Sequence, residues 1–590
     1  RPTYFFDAEP ASGLATITSL EATNPIAQVA QQVQVSQGAI TLPYYQSLPG
    51  DDGDGLVNGS WTGNIELEED LNERLDADGG IFQFLRDNDG ETLNVNGNFP
   101  FAEQQGTVTV PVVVFHPVLD GTAAEPAACG GTSSPQGVTI FQHGITVDRS
   151  AAMLPAILLA QSTCQAVIAI DQPLHGLGGA TLGTVPGLAP LDAEQLTTEV
   201  NATISAVEGS SPALAGLLTQ MVNADYIGER HFNYTRDMDA EGVAATEASA
   251  ITEVSSGSLF INPGNMLTSR DNLRQSVLDL LNLAATVQTM DVNKDFAPAG
   301  DYFGLPVSFV GHSLGGIAGT TFAALVNDPT LNATINGIWD QNPALNPLTY
   351  PTMRSVVLHN TGGQVTRLLE NSGSRSGDLL DALADKGIEQ KTSNFENFFY
   401  IFQSVVDGTD AVNFATSLGN TTDNLLVTEV IGDSTVPNEA NENPLDDAYP
   451  APLAGTEPLM ALLDIGLGGV DLADGSEGLF LVDTDNSASK PMPAAVFFAG
   501  TNGCTEANHG TFVAPVAPNP NCPDGEADTS TAFTAMVVQT SGAISGAGIA
   551  GSDNTDPVPN AGGLTYGPLI ASTLGVSETL ENALDQDEAE

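Results

Sequence analysis

Basic residues are scarce in this chain. Lysine occurs four times, at Lys294, Lys386, Lys391 and Lys490. Lysine and arginine together total 15 against 73 aspartates and glutamates, a formal net charge of −58. A polyanion of this kind repels phosphate backbones and anionic lipid surfaces at long range, so no nucleic-acid partner is expected. The acid excess is either a plain solvated surface or a fit to salty water, where counter-ions screen self-repulsion. A marine or halophilic setting is the expectation.

Cysteine is also scarce, with Cys129, Cys164, Cys504 and Cys522. Four thiols permit three pairings, of which the sequence-local choice is Cys129–Cys164 with Cys504–Cys522. Four reduced, buried thiols are the alternative. No C-x-x-C pair or zinc-like spacing occurs, so neither a metal nor a redox role is expected. No apolar run reaches the roughly 18 residues of a membrane span. No signal peptide is visible, and the sequence starts at Arg1 rather than methionine. The expectation is a secreted or surface protein whose leader lies outside this sequence.

The chain has 590 residues, ample for a large core. Residues 1–36 show little pattern and read as an N-terminal extension packed on the body. The β-rich stretch Ala39 to Tyr45 follows, then an acidic loop, Asp51-Asp52-Gly53-Asp54-Gly55. Clustered carboxylates suit calcium, but the bidentate glutamate of an EF-hand is missing, so a plain acidic turn is expected. From residue 106 strands alternate with helices. Val108–Phe115, Val138–Phe141 and Ala166–Ile170 read as strands, with a helix over 150–162. Continuous Val/Ile runs joined by helices indicate a mostly parallel sheet covered on both faces. Thr268 to Asp271 has the pattern of a capping box opening a helix whose apolar positions run from Leu273 to Val287. A strand is expected over Ile335–Trp339, another over Leu425–Ile431, and a last one over Ala494–Phe498. Segments 177–265 and 341–425 read as insertions, a lid or cap on a catalytic domain spanning 37–590. Asp585 to Glu590 is an acidic tail.

One constellation carries chemistry. Gly311-His312-Ser313-Leu314-Gly315 follows a buried apolar strand, Pro306–Val310, and opens a helix. G-x-S-x-G in that setting is a nucleophile elbow, with glycines two residues either side because larger side chains collide with the turn. A serine hydroxyl needs a base, and the partners follow in the order Ser, Asp or Glu, His. After Ser313 only His359 and His509 remain. His509, in a loop past the last strand, is the expected base, and His359 falls in the presumed lid. Asp433, within Gly432-Asp433-Ser434-Thr435, ends a strand and is the expected acid, with Asp340 its rival. Oxyanion donors are expected at the N–H of Leu314 and of Ile145, where Gly144 lets the backbone come close and His143 braces the loop. Cys504 and Cys522 bracket His509 and, if joined, pin its loop.

Several blocks together resemble the extracellular, virulence-factor-type lipases of Gram-negative bacteria. They are Phe141-Gln142-His143-Gly144-Ile145-Thr146, Ala169 to Gly176, Glu229-Arg230-His231-Phe232-Asn233, Leu267 to Gln275, and Gly311 to Gly316. The resemblance implies an α/β-hydrolase fold and lipase or lysophospholipase activity on acyl esters, without a cofactor, in a monomer. Alternatives are a short-chain carboxylesterase or polyester hydrolase, an amidase, or a silent binding protein on the same scaffold.

Overall fold

The computed structural model describes residues 1–20, 25–75, 84–179, 188–237, 243–296, 300–342, 348–430, 432–440, 448–465, 479–480, 492–498, 507–515 and 529–548. Cys504, Cys522 and the acidic tail lie outside them.

Eight strands of five or more residues form the body of a single sheet. They are β1 (Val33–Tyr44), β2 (Gly106–Pro117), β3 (Gly137–Gln142), β4 (Gln165–Ile170), β5 (Val307–His312), β6 (Met353–His359), β7 (Leu425–Val430) and β8 (Ala494–Phe498). Their spatial order is β1-β2-β4-β3-β5-β6-β7-β8. β2 runs antiparallel to both its neighbours, and the strands from β4 to β8 are parallel. Such a sheet must hide both faces, which explains the unbroken apolar runs. Alternate residues feed two cores. Ile140, Phe309, Leu358 and Val427 point into one, and Phe141, Val310, Val357 and Leu426 into the other. The helix after β3, Met153–Thr163, packs in the second core, and the helix after β5, Leu314–Asn327, in the first. The chain therefore leaves neighbouring strands β3 and β5 toward opposite faces. That is a topological switch point, the place at the carboxyl ends of the strands where sheets of this kind bind ligands. This is the α/β-hydrolase fold.

Three sequence expectations need correction. Ile335–Trp339 belongs to the helix Pro329–Asp340. Asp328 caps it, accepting from Leu331 N at 2.7 Å, with Pro329 in the first turn. The Asp-Pro start signal outweighs the short β-branched run. The next sheet strand is β6, which lies inside the segment assigned to the insertion 341–425. The helix expected to begin at Thr268 spans Met266–Thr286, and its cap is Asn265, which accepts from Leu267 N and Thr268 N. Thr268 Oγ1 instead donates to the carbonyl of Gly59 at 2.7 Å. Residues 1–36 are expected to pack on the body, and part of them joins the sheet. Thr3–Phe5 pairs antiparallel with β1, and β1 itself begins at Val33.

Cys129 and Cys164 are joined, with Cα atoms 5.0 Å apart. In the acidic loop Asp52 Oδ1 accepts from Asp54 N, and Asp54 Oδ1 from Asn58 Nδ2. Among the described residues no group of three or more His, Cys, Asp or Glu is arranged to hold a metal ion. Nor, among them, is any helix long and apolar enough to cross a membrane.

Candidate active site

β5 delivers Ser313 to the switch point. Its backbone has φ 54 and ψ −124, a conformation costly for a residue with a Cβ, between a strand and the first turn of a helix. Three backbone bonds hold it there. Ser313 N donates to the His359 carbonyl at 2.9 Å, and the Ser313 carbonyl accepts from Gly316 N at 2.8 Å and Ile317 N at 3.1 Å. Gly315 has to be glycine, since a Cβ there would lie 2.2 Å from the Gln142 carbonyl oxygen. Ser313 is 4% exposed.

β7 and β8 deliver the other two groups. Asp433 follows β7, and its loop is clipped by Asn438, which accepts from Gly432 N at 2.6 Å and donates to the Val430 carbonyl at 2.8 Å. Asp433 Oδ1 accepts from Thr435 N at 2.7 Å, and Oδ2 lies 2.7 Å from His509 Nδ1. The carboxylate fixes the proton on Nδ1 and leaves the Nε2 lone pair open. The His509 side chain keeps 18% exposure while that of Asp433 keeps 2%. Two donors converge on the His509 carbonyl, His312 Nε2 at 2.7 Å and Asn360 Nδ2 at 2.9 Å. His312 thus ties the serine turn to the histidine loop. Burial pushes its pKa down to about 3, so it is neutral and donates from Nε2.

The third wall is the loop after β3. A Cβ at Gly144 would come within 3.0 Å of Ser313 Cβ, so the backbone of this loop faces the serine. His143 is fully buried behind it. Its Nδ1 donates to the Gly144 carbonyl at 2.7 Å, and its Nε2 accepts from Gln172 N at 3.0 Å. Burial holds its pKa down to about 4, so it stays neutral. Ile145 sits in the turn that follows, half-buried. Leu314 opens the helix after Ser313, and its N–H is among the first four that have no partner within a helix. Ser313, Asp433, His509 and these two backbone groups therefore share one end of the sheet, and this arrangement can do nucleophilic acyl chemistry.

The rival residues fall elsewhere. Asp340 ends an exposed helix. His359 ends β6 rather than sitting in a lid. It is buried, bonded through Nδ1 to Thr428 Oγ1 at 2.7 Å and through Nε2 to Thr540 Oγ1 at 3.0 Å. In the aromatic stretch 395–402, Phe395 and Phe399 pack with Leu383, forming the core of their own helical layer.

Sequence reasoning missed the clamp behind the site. Arg149, 2% exposed, donates from Nη1 to Asp171 Oδ2 at 2.5 Å and Glu229 Oε2 at 2.7 Å, and from Nη2 to Glu229 Oε1 at 2.8 Å. Glu229 also accepts from Leu177 N at 2.9 Å and Leu191 N at 3.0 Å, which anchors the first insertion. Asp171 and Glu229 stand in blocks noticed only for their resemblance, and nothing in the spacing of Arg149 points to them. Asn360 carries no sequence signal either. A cavity of about 540 Å³, bordered by Phe6, Leu14, Arg149, Leu188 and Gln195, includes none of Ser313, Asp433 or His509.

No family model matches the chain, and no curated protein does. Solved structures do. A puromycin-hydrolyzing peptidase of Mycobacterium tuberculosis is similar over 76% of this chain and 38% of its own, at 11% identity and a TM-score of 0.30. A monoacylglycerol lipase of Paleococcus ferrophilus is similar over 68% of this chain and 95% of its own, at 12% identity and a TM-score of 0.24. Esterase B of Lactobacillus rhamnosis is similar over 55% and 62%, at 12% identity and a TM-score of 0.24. At these values the likeness carries no argument about activity, and the fold rests on the sheet itself.

Proposed function

We propose that the chain is a serine ester hydrolase working through an acyl-enzyme. Ser313 Oγ attacks the ester carbonyl while His509 Nε2 takes its proton, and Asp433 holds the imidazole and stabilises the imidazolium. The carbonyl oxygen turns negative against the N–H groups of Leu314 and Ile145. His509 then returns the proton to the leaving alcohol, and a water repeats the sequence to release the acid. The observation that carries the reading is the Asp433–His509 bond of 2.7 Å beside a serine in a strained strand–helix turn.

The finer reading is a lipase or lysophospholipase acting outside the cell. The Cys129–Cys164 bond and the acid excess support an oxidising, extracellular setting. Parts of 177–265 and of the helices between β6 and β7 would roof the site. Hydrolysis of p-nitrophenyl esters from acetate to palmitate, by wild type and Ser313→Ala, with and without high salt, tests it. The expected result is a loss of roughly four to six orders of magnitude in the variant, with medium or long chains preferred by wild type. Activity confined to acetate and butyrate would instead indicate a carboxylesterase, and an unchanged variant would remove Ser313 from the mechanism.

A further inference from the structure

Cations in this chain are rare, and those in the fold are mostly neutralised. Arg86, Arg149, Arg230, Arg270 and Arg367 are each tied to a carboxylate. Arg375 is different. It is exposed, its Nη2 donates to Thr146 Oγ1 at 3.3 Å, and among the described residues it meets no carboxylate.

Its position is set by contacts to two loops of the candidate site. Ser374 N donates to the Ser434 carbonyl at 2.8 Å, Ser374 Oγ lies 2.9 Å from Thr435 Oγ1, and Ser372 Oγ donates to the Thr435 carbonyl at 2.7 Å. These contacts seat the segment on the loop that carries Asp433. Thr146, at the other end of the guanidinium, follows Ile145 in the loop that faces Ser313. Arg375 therefore bridges the two loops that flank the serine. A guanidinium held by one neutral hydroxyl keeps most of its five N–H donors, in the planar fork that matches a carboxylate or phosphate. In a chain of net charge −58 it is a positive group beside the candidate site.

We propose that Arg375 makes the site selective for esters bearing an anionic oxygen group, carboxylate or phosphate, a few atoms from the scissile bond. The inference rests on the serine-hydrolase reading. The guanidinium and the substrate anion form a charge-assisted bond that a neutral ester lacks.

The test compares p-nitrophenyl hexanoate with its carboxylate analogue, mono-p-nitrophenyl adipate, and with p-nitrophenyl 5-phosphonopentanoate. All are assayed at high salt, so that long-range repulsion is screened. The readout is the ratio of kcat/KM for each anionic ester to that for the neutral one. Arg375→Gln is expected to lower the ratio by roughly tenfold, and Arg375→Lys to restore part of it, having the charge without the fork. Which analogue loses more separates carboxylate from phosphate. Arg354→Gln, at the amino end of β6, is expected to keep the wild-type ratio. A ratio unchanged by Arg375→Gln overturns the proposal, including the case in which both kinds of ester slow alike, as a purely loop-bridging arginine would give. If wild type hydrolyses none of the esters, the serine-hydrolase reading itself fails and the inference falls with it.

Discussion

Two carboxylate contacts lie near the carboxyl ends of the same sheet, and they differ in what they leave free. Asp433 and His509 meet through one bond of 2.7 Å, and the histidine keeps 18% exposure and an open Nε2. The Arg149 guanidinium meets Asp171 and Glu229 through three bonds and the Ala189 carbonyl through a fourth, with Arg149, Asp171 and Glu229 almost completely buried. The first contact leaves a lone pair open and the second is bonded on nearly every side. A group with an unused lone pair at a solvent-reachable edge can exchange a proton during turnover. A group with four of its five N–H donors bonded holds chain segments together. On the proposed reading, similar contact distances serve chemistry in one place and architecture in the other.

This comparison can be broken by exchanging one member of each pair. Asp433→Asn is expected to lower kcat by roughly four orders of magnitude, because the amide selects the wrong histidine tautomer. Its unfolding midpoint should stay close to wild type. Arg149→Met is expected to do the reverse, costing about 3–5 kcal/mol of stability by leaving two buried carboxylates unpaired, with turnover of the folded fraction near wild type. Denaturant melts and single-substrate kinetics on both variants check this. A catalytic collapse in a well-folded Arg149→Met would show that the clamp belongs to the site.

A smaller effect sharpens the contrast. Glu429, on β7, is 1% exposed, and among the described residues neither of its carboxyl oxygens has a hydrogen-bond partner. Burial, with Glu457 and Asp433 nearby, pushes its pKa well above the ordinary 4.5. Folding then takes up a proton at this residue once the pH exceeds that value. The native chain binds more protons than the unfolded one, so this group's contribution to stability falls as pH rises through the window above 4.5. Glu429→Gln, which imitates the protonated acid, is expected to match wild type near pH 4 and to gain about 1–3 kcal/mol at neutral pH. Equal melts across that range would mean that Glu429 ionises without cost.

Much of the plan was legible in the residues. The strand–Gly-x-Ser-x-Gly–helix block fixes the serine turn because only one backbone conformation suits it. Continuous Val/Ile runs fix the buried parallel strands. Asp433 and His509 could be placed because each follows a strand with small residues around it. What failed had weaker local signals. Met353–His359 carries Arg354 and Ser355 among its apolar residues and was hidden in a presumed insertion, while Ile335–Trp339 looked β-branched and lay in a helix started by Asp328-Pro329. The Arg149 clamp joins positions 22 and 80 residues apart, and Asn360 reaches His509 across 149. No periodicity reports such pairings, since they exist only once the sheet has brought the loops together.

The central claim is that Ser313 is a nucleophile activated by His509 and Asp433. The most direct measurement is the reaction of the folded protein with a serine-directed fluorophosphonate, read by intact mass and peptide mapping. One adduct per chain on Ser313, absent in Ser313→Ala and much slower in His509→Gln, is the predicted result. An adduct on another residue, or equal labelling of wild type and His509→Gln, would contradict it.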